Sequence, residues 1–299
     1  MFTCIERGIM MRFKSVKKAS VFGIIGNIFL LIIKGIIGLF TNSSAMIADA
    51  FNSAGDIFSS IMTFIGNNIA SKPSDDDHNL GHGKAEYIYS MFISIVMILM
   101  GLFVLKDSFC SIFNYEKYHF SMWLVIVCVV TIIVKFCLFI YTDKISKRYN
   151  NLLMKANSHD HRNDCVITFL NLVACILAYY NVYFIDGVVG VLIAIWMIIT
   201  SIKIFIESYD VLMDKSIDEE TKKKVFEIIN SHDEIKKVIH FNATPVGYKY
   251  QISFTIYVDG NLSTFDSHKI ADNLEKEIGN KLDEIYLTVI HVNPIDINK

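Results

Sequence analysis

Long apolar stretches fill the first two thirds of this chain, and short polar segments separate them. A helix needs about 20 predominantly apolar residues to cross the hydrocarbon core of a membrane. Stretches of that length occur at six places in the sequence. The pattern therefore predicts six membrane-spanning helices, over residues 20–40, 44–69, 86–108, 120–142, 157–180 and 184–208.

The pattern changes near residue 209, where charged residues become frequent and the apolar ones take helical or alternating spacing. The predicted elements are a helix over 218–231, strands over 238–242 and 248–258, a helix over 266–278 and a strand over 285–292. This order predicts a small α+β domain of the ferredoxin-like or metallochaperone-like kind. A domain of this size is expected to pack against a copy of itself.

The fold class predicted is thus a membrane α-helical protein with two domains. A transmembrane domain of six helices occupies residues 1–208, and a cytoplasmic C-terminal dimerisation domain occupies residues 209–299. Only 19% of the residues are charged, and the net charge of −2 gives no reason to expect a nucleic-acid partner. The six cysteines form no Cys-x-x-Cys motif, so we interpret them as small buried apolar residues.

The distribution of basic residues predicts the orientation of the chain in the membrane. Residues 1–18 carry five Lys or Arg and the connection at 143–156 carries four, whereas the connections at 41–43 and 181–183 carry none. Because basic segments stay on the cytoplasmic side, both termini are predicted to be cytoplasmic. The predicted location is the cell (plasma) membrane, with the lipid bilayer as surroundings.

Two of the predicted spans contain polar pairs that are spaced four residues apart. Asn52 and Asp56 form one pair, and Asp160 and Asp164 form the other. Residues four apart lie on one face of a helix. Carboxylates at membrane depth cost roughly 3 kcal/mol or more each and commonly mark ion pathways. If the two helices pack together, the four side chains predict a site for a divalent cation.

A second set of candidate ligands lies in the loop between the second and third predicted spans. Asp75, His78 and His82 offer one carboxylate and two imidazoles, and Gly81 and Gly83 allow the backbone to turn between them. This combination of ligands suits a transition-metal ion. The alternative is a solvated acidic loop with incidental histidines.

Four short segments resemble, in order, the motifs of the cation diffusion facilitator family of divalent-metal exporters. The segments are 44–50 with Ser53 and Asp56, His78 with 81–86, 161–164, and 291–294. The resemblance covers nearly the whole chain. It implies a homodimer that is not an enzyme, holds no cofactor, and exchanges a divalent metal ion for protons by alternating access.

The resemblance also implies a transport site at Asn52, Asp56, Asp160 and Asp164, and a loop site at Asp75, His78 and His82. Zinc-transporting members of the family usually have histidine in the transport site, and this chain has none there. Oxygen ligands suit harder ions such as Mn²⁺ better than Zn²⁺. The sequence therefore favours a manganese(II)/proton antiporter of the family's manganese-exporting bacterial branch.

The resemblance places a further metal site in the tail, where this chain departs from the family pattern. His240, His268 and His291 lie at matching positions, but Asn293 replaces the usual acid. We therefore expect one weak tail site or none. Lys84 and Asp214 match a charge pair of the family, and the alternative is two unrelated surface charges.

The sequence leaves three other functions open. One is export of zinc or iron(II) by the same architecture, and another is a membrane metal sensor that transports nothing. The third is a membrane metalloenzyme, although no His-Glu-x-x-His motif is present. The roles of Lys34, His159 and His161 also stay open, with proton relay as one possibility for His161.

Overall fold

The structure is a computed structural model that describes residues 4–41, 44–113, 122–178 and 184–295. Some side chains within these helices, including that of Asn52, lie outside the description. The described chain divides into two compact units. The first comprises Met1–Lys72 and Ala85–Tyr209, and the second comprises Pro73–Lys84 and Asp210–Lys299. The predicted domain division at residues 208 and 209 stays a prediction.

Among the described residues, six long helices build the first unit. They are α1 (Cys4–Thr41), α2 (Ser44–Ala70), α3 (Ala85–Phe113), α4 (Met122–Tyr149), α5 (Leu152–Ala178) and α6 (Phe184–Leu212). Within the described residues, three stretches are apolar and long enough to cross a membrane by length and composition alone: Met10–Ile37, Ala85–Cys110 and Val125–Tyr149. The helical transmembrane fold is confirmed, and the number of six spans stays a prediction.

Helix α1 begins well before the first predicted span. The prediction started the span at residue 20 because residues 1–18 are basic, yet the helix starts at Cys4. Val16 and Ala19 are fully buried and pack with Ile145 and Met154, at the end of α4 and the start of α5. Because this packing buries one apolar face of the basic N-terminal segment, the helix extends into that segment.

The first unit has polar residues inside and large apolar residues outside. Ser53, Ser60, Thr63 and Asn157 are buried among the helices. By contrast, many large apolar side chains are exposed, including those of Phe22, Ile25, Phe92, Leu99 and Ile133. An apolar exterior is what a lipid environment requires, and small polar residues let membrane helices pack closely.

The described part of the second unit is a three-stranded sheet with two helices. Its elements are α7 (Glu219–Asn230), β1 (Lys237–Val246), β2 (Lys249–Asp259), α8 (Thr264–Lys281) and β3 (Ile285–Ile295). The strand order is β1-β2-β3, with β1 antiparallel and β3 parallel to β2. The alternating residues of β2 form the core: Ile252, Phe254, Ile256 and Val258 are at most 2% exposed. The predicted α+β fold is confirmed.

The predicted orientation depends in part on connections that the structure does not describe. Residues 42–43, 114–121 and 179–183 lie outside the described residues. The cytoplasmic placement of both termini therefore stays a prediction.

Candidate metal transport site and loop site

A buried lysine joins two of the predicted transport-site carboxylates. Nζ of Lys135, on α4, lies 2.6 Å from Oδ2 of Asp56 on α2 and 2.6 Å from Oδ2 of Asp164 on α5. The lysine side chain is 1% exposed, and those of the two aspartates are 7% and 10% exposed. The structure thus brings Asp56 and Asp164 together around one point inside the first unit.

Asp160 belongs to the same region of α5. Asp160, His161 and Asp164 each offer a ligand atom, and these atoms lie within 4.8 Å of one another. Oδ2 of Asp160 and both ring nitrogens of His161 are buried and make no hydrogen bond to any residue that the structure describes. Buried polar atoms without partners are costly, so such atoms suit a ligand that binds there. The group has the composition of a divalent-metal site.

The other residues considered in this region differ in their contacts. The side chain of Asn52 lies outside the described residues, so its part in the site stays a prediction. His159 accepts a hydrogen bond from Arg162 at 3.2 Å, and the guanidinium of Arg162 lies 4.1 Å from the ring centre of Trp196. Lys34 is buried and donates to Oγ of Ser53 at 3.2 Å.

Sequence reasoning missed Lys135 altogether. It is the only Asp, Glu, Lys or Arg between residues 122 and 142, in an otherwise apolar predicted span. An ionisable residue at membrane depth usually has a charged partner and a function. That isolated charge was the signal that could have found it.

The three predicted loop ligands lie together in the second unit. The ligand atoms of Asp75, His78 and His82 are all within 4.8 Å of one another. Oδ1 of Asp75 accepts from the backbone N–H of His78 at 2.7 Å, and Oδ2 lies 3.4 Å from Nε2 of His82. The hydrogen bond from the His78 N–H is the main cause that lowers the pKa of Asp75 below its ordinary value. The Asp75 carboxylate is therefore kept ionised, as a metal ligand must be.

The loop backbone orients the second imidazole. Nδ1 of His82 lies 3.1 Å from the carbonyl oxygen of Pro73, so the ring can donate there and leave Nε2 for a metal. Gly81 adopts a positive φ of 75° at the turn, where its N–H donates to the His78 carbonyl at 2.8 Å. These contacts hold the ligands around one exposed point.

Close backbone contacts fix the loop against the rest of the second unit. A Cβ at Gly83 would lie 2.7 Å from Cα of Gly247, so the two backbone segments approach at a distance that only glycine permits. Lys84 also donates to Oδ1 of Asp214 at 2.6 Å, which confirms the predicted charge pair. Asp214 has a positive φ of 56°.

The tail histidines form no comparable group. His240, at a φ of 55° beside the irregular register of β1, is exposed, and so are His268 on α8 and His291 on β3. His268 lines a cavity of about 380 Å³ together with Asp259 and Pro294. Among the residues that the structure describes, no three of His, Cys, Asp or Glu in the tail converge as those of the loop do.

Two family models match the chain over almost its whole length. The one described as cation efflux transmembrane domain matches residues 20–213, and the one described as cation efflux protein, cytoplasmic domain, matches residues 217–295.

Several curated proteins are similar to the chain. The manganese efflux system protein MneP of Bacillus subtilis is 26% identical, over 93% of this chain and 96% of that protein. The cation-efflux pump FieF of Shewanella oneidensis is 26% identical, over 94% and 95%. The magnetosome protein MamM of Magnetospirillum gryphiswaldense is 28% identical, over 86% and 81%.

Proposed function

This chain belongs to the cation efflux family, the cation diffusion facilitators, and from that premise we propose that it exports Mn²⁺ from the cytoplasm in exchange for protons. Members of the family are membrane transporters and not enzymes, so metal efflux itself is its general function. The observation that carries the finer proposal is the convergence of Asp56 and Asp164, from two helices, on one buried point.

The chemistry of the ligands supports manganese as the transported ion. Asp56, Asp160 and Asp164 offer carboxylate oxygens, and Asn52 is expected to add an amide oxygen. Oxygen ligands suit Mn²⁺, whereas nitrogen and sulfur ligands favour softer or later metals. The name of the Bacillus relative, a manganese efflux protein, gives independent support.

Export of zinc or iron(II) is the second candidate, and one observation favours it. A ring nitrogen of His161 lies within the same 4.8 Å group as the carboxylates of Asp160 and Asp164. Imidazole is a good ligand for both metals. If His161 coordinates the transported ion, the ligands of the site include nitrogen as well as oxygen.

Coupling to protons follows from the same carboxylates. A metal ion binds ionised carboxylates, so metal and protons compete for the site. A neutral acid is far less costly in a low-dielectric interior than a charged one. On the outer side, protonation of the acids releases the metal, and the protonated carrier returns. Proton influx thereby drives metal efflux without any covalent step.

The proposed setting is a homodimer in the plasma membrane with both termini cytoplasmic. The match to a cytoplasmic-domain model over residues 217–295 supports the placement of the tail. Strand β3 is an edge strand on which Tyr286, Leu287 and Val289 are exposed, an apolar surface that supports pairing with a second copy. The proposed domains are a transmembrane domain over residues 1–208 and a cytoplasmic domain over residues 209–299.

We propose that the loop ligands Asp75, His78 and His82 form a second, cytoplasmic metal site. Their convergence and the lowered pKa of Asp75 support it. The tail histidines His240, His268 and His291 are proposed as one weak site at most.

The test is metal uptake into liposomes that contain the purified protein under an imposed proton gradient. Mn²⁺ and Zn²⁺ fluxes are followed side by side for the wild type, Asp164→Asn and Asp143→Asn. Asp143 is the matched control because it is a carboxylate of α4 that pairs with Lys147 of the same helix. We expect manganese-preferring, proton-driven flux that only Asp164→Asn abolishes.

Other outcomes separate the alternatives. A flux that prefers zinc would favour the second candidate, export of zinc or iron(II), over export of manganese. Proton-driven flux that survives in Asp164→Asn would overturn the assignment of the site. Folded protein without flux of either metal would favour the metal sensor.

A further inference from the structure

Lys135 places a positive charge between two carboxylates that the proposed function assigns to the metal. Its Nζ is 2.6 Å from an oxygen of Asp56 and 2.6 Å from an oxygen of Asp164. Carboxylate oxygens bind divalent ions such as Zn²⁺, Mg²⁺ and Ca²⁺ at about 2.0–2.6 Å. The ammonium therefore stands close to the point at which a divalent cation bridging the same two oxygens would lie.

The ammonium and a metal ion cannot occupy that point together. The pair of aspartates comes from α2 and α5, and the lysine comes from α4, so three helices meet at this position. The lysine has a flexible side chain of four carbons, which lets the ammonium move while the helix stays in place. A metal ion that reaches both oxygens must displace it.

We propose that Lys135 is a tethered counter-ion of the empty transport site, which takes the metal's position between Asp56 and Asp164 after release and is displaced when metal enters. The inference rests on the proposed function of these aspartates. It assigns two consequences to one side chain. The ammonium competes with metal, and in the carrier that returns without metal it neutralises the charge of one carboxylate while protons neutralise the others.

These two roles of the ammonium predict different effects on net transport and on metal exchange. Without the ammonium, the returning carrier must leave one carboxylate without a counter-charge or bind one more proton, and buried unpaired charge is strongly unfavourable. The return of the empty carrier should then be slow. Exchange of internal for external metal does not pass through the empty carrier, so it should persist.

The experiment compares net and exchange transport in proteoliposomes for the wild type, Lys135→Gln and Lys147→Gln. Net proton-driven Mn²⁺ uptake is measured first. Exchange of radioactive for unlabelled Mn²⁺ is measured next, with Mn²⁺ on both sides and no proton gradient. Mn²⁺ affinity is measured on the purified protein. Lys147 is the control, because it is a lysine of the same helix that pairs with Asp143 and not with a transport-site carboxylate.

For Lys135→Gln we expect a fall of net uptake by tenfold or more, exchange at no less than half the wild-type rate, and tighter Mn²⁺ binding. Lys147→Gln should keep the wild-type ratio of net to exchange transport. The inference is overturned if Lys135→Gln leaves the ratio unchanged, or if folded Lys135→Gln loses exchange and net uptake equally.

Lys135→Arg keeps the test decisive if the glutamine variant does not fold. A guanidinium binds carboxylates through two parallel hydrogen bonds, so it should compete with metal better than the ammonium does. We expect weaker Mn²⁺ binding with net uptake still proton-driven, and wild-type affinity in Lys135→Arg would contradict the inference. A wild type without any Mn²⁺ flux, net or exchange, would instead refute the proposed function.

Discussion

Arg12 and Glu86 form an ion pair of 2.5 Å between Nη2 and Oε2, and both side chains are almost completely buried. Nε of Arg12 also donates to the carbonyl of Tyr149 at 3.3 Å, and Oε1 of Glu86 accepts from the N–H of Leu152 at 2.8 Å. The pair therefore joins α1 and α3 to the end of α4 and the start of α5. Helix α5 carries Asp160 and Asp164, so this network positions the proposed transport site.

Removal of one partner of this pair should destabilise the protein strongly. Glu86→Ala leaves a buried guanidinium without its carboxylate, which costs about 3–5 kcal/mol in the free energy of unfolding. Replacing both partners, in Arg12→Met with Glu86→Leu, should cost less than Glu86→Ala alone. Thermal unfolding of the detergent-solubilised protein measures both. If the double variant is the least stable, the charges themselves are not the reason for the loss.

Much of this architecture could be predicted from the sequence because it depends on local patterns. Alternation in β2 puts Ile252 and Phe254 in the core, as expected. The spacing of Asp75, His78 and His82 in a glycine-containing loop also suffices to bring the three together, because few residues separate them. In such cases the information lies within one element or one loop.

The buried ion pairs of the first unit could not be predicted in the same way. Lys135 and Asp56 are 79 positions apart, and Arg12 and Glu86 are 74 apart. Their meeting depends on the rotation and depth of separate helices. A uniformly apolar span does not fix that rotation, because every face looks alike in the sequence. The sequence identifies the charge of Lys135 as exceptional, but it does not identify its partners.

Metal binding at the loop should depend on its predicted ligands and not on the other acids of the loop. His82→Ala removes the less exposed imidazole and should weaken metal binding at the loop by tenfold or more, since about 10–100-fold is lost even for outer-shell partners. Asp77→Ala is the matched control, because it is an exposed acid of the same loop outside the converging group. Titration of Mn²⁺ or Zn²⁺ into an Asp164→Asn background isolates the loop. Equal losses in the two variants would mean that the loop acts through charge alone.

Gly83→Ala should weaken the same loop site without touching a ligand. The new Cβ would lie 2.7 Å from the Cα of Gly247. Because its neighbours are backbone atoms, which cannot rotate away as a side chain can, the loop itself must shift. Gly279→Ala is the control, because a Cβ there meets nothing within 4 Å. Metal titration in the same background should show a weaker loop site for Gly83→Ala only. Unchanged affinity would show that the ligands do not depend on this close contact.

A histidine in place of Asp160 should move metal preference toward zinc. The change adds an imidazole to the group that holds His161 and Asp164, and nitrogen ligands favour Zn²⁺ over Mn²⁺. We expect the ratio of zinc to manganese flux to rise about tenfold, the effect of roughly 1.4 kcal/mol of differential binding. Glu207→His adds the same ring outside the site and should leave the ratio alone. An unchanged ratio in Asp160→His would show that position 160 does not set selectivity.

Asp218 should stabilise the tail in a way that depends on pH. Its carboxylate accepts from the N–H of Thr221 at 2.9 Å and from its hydroxyl at 2.8 Å, which caps α7 and lowers the pKa of Asp218. Because the folded pKa lies below the unfolded value of about 3.9, the stabilisation is complete above that value. It is lost as the pH falls through the lower folded pKa.

Hydrogen exchange of the full-length protein, read at the amides of α7, can test this cap. Asp218→Ala should reduce protection at pH 7 by about 1 kcal/mol, the usual contribution of an N-cap. Asp218→Asn should keep most of the protection, because an amide oxygen also caps, but lose its dependence on acid pH. Glu219→Gln removes the same charge from the neighbouring residue, whose carboxylate lies 3.6 Å from Lys222, and should change little. If Glu219→Gln matches Asp218→Ala, the effect comes from the charge near the helix terminus and not from the cap.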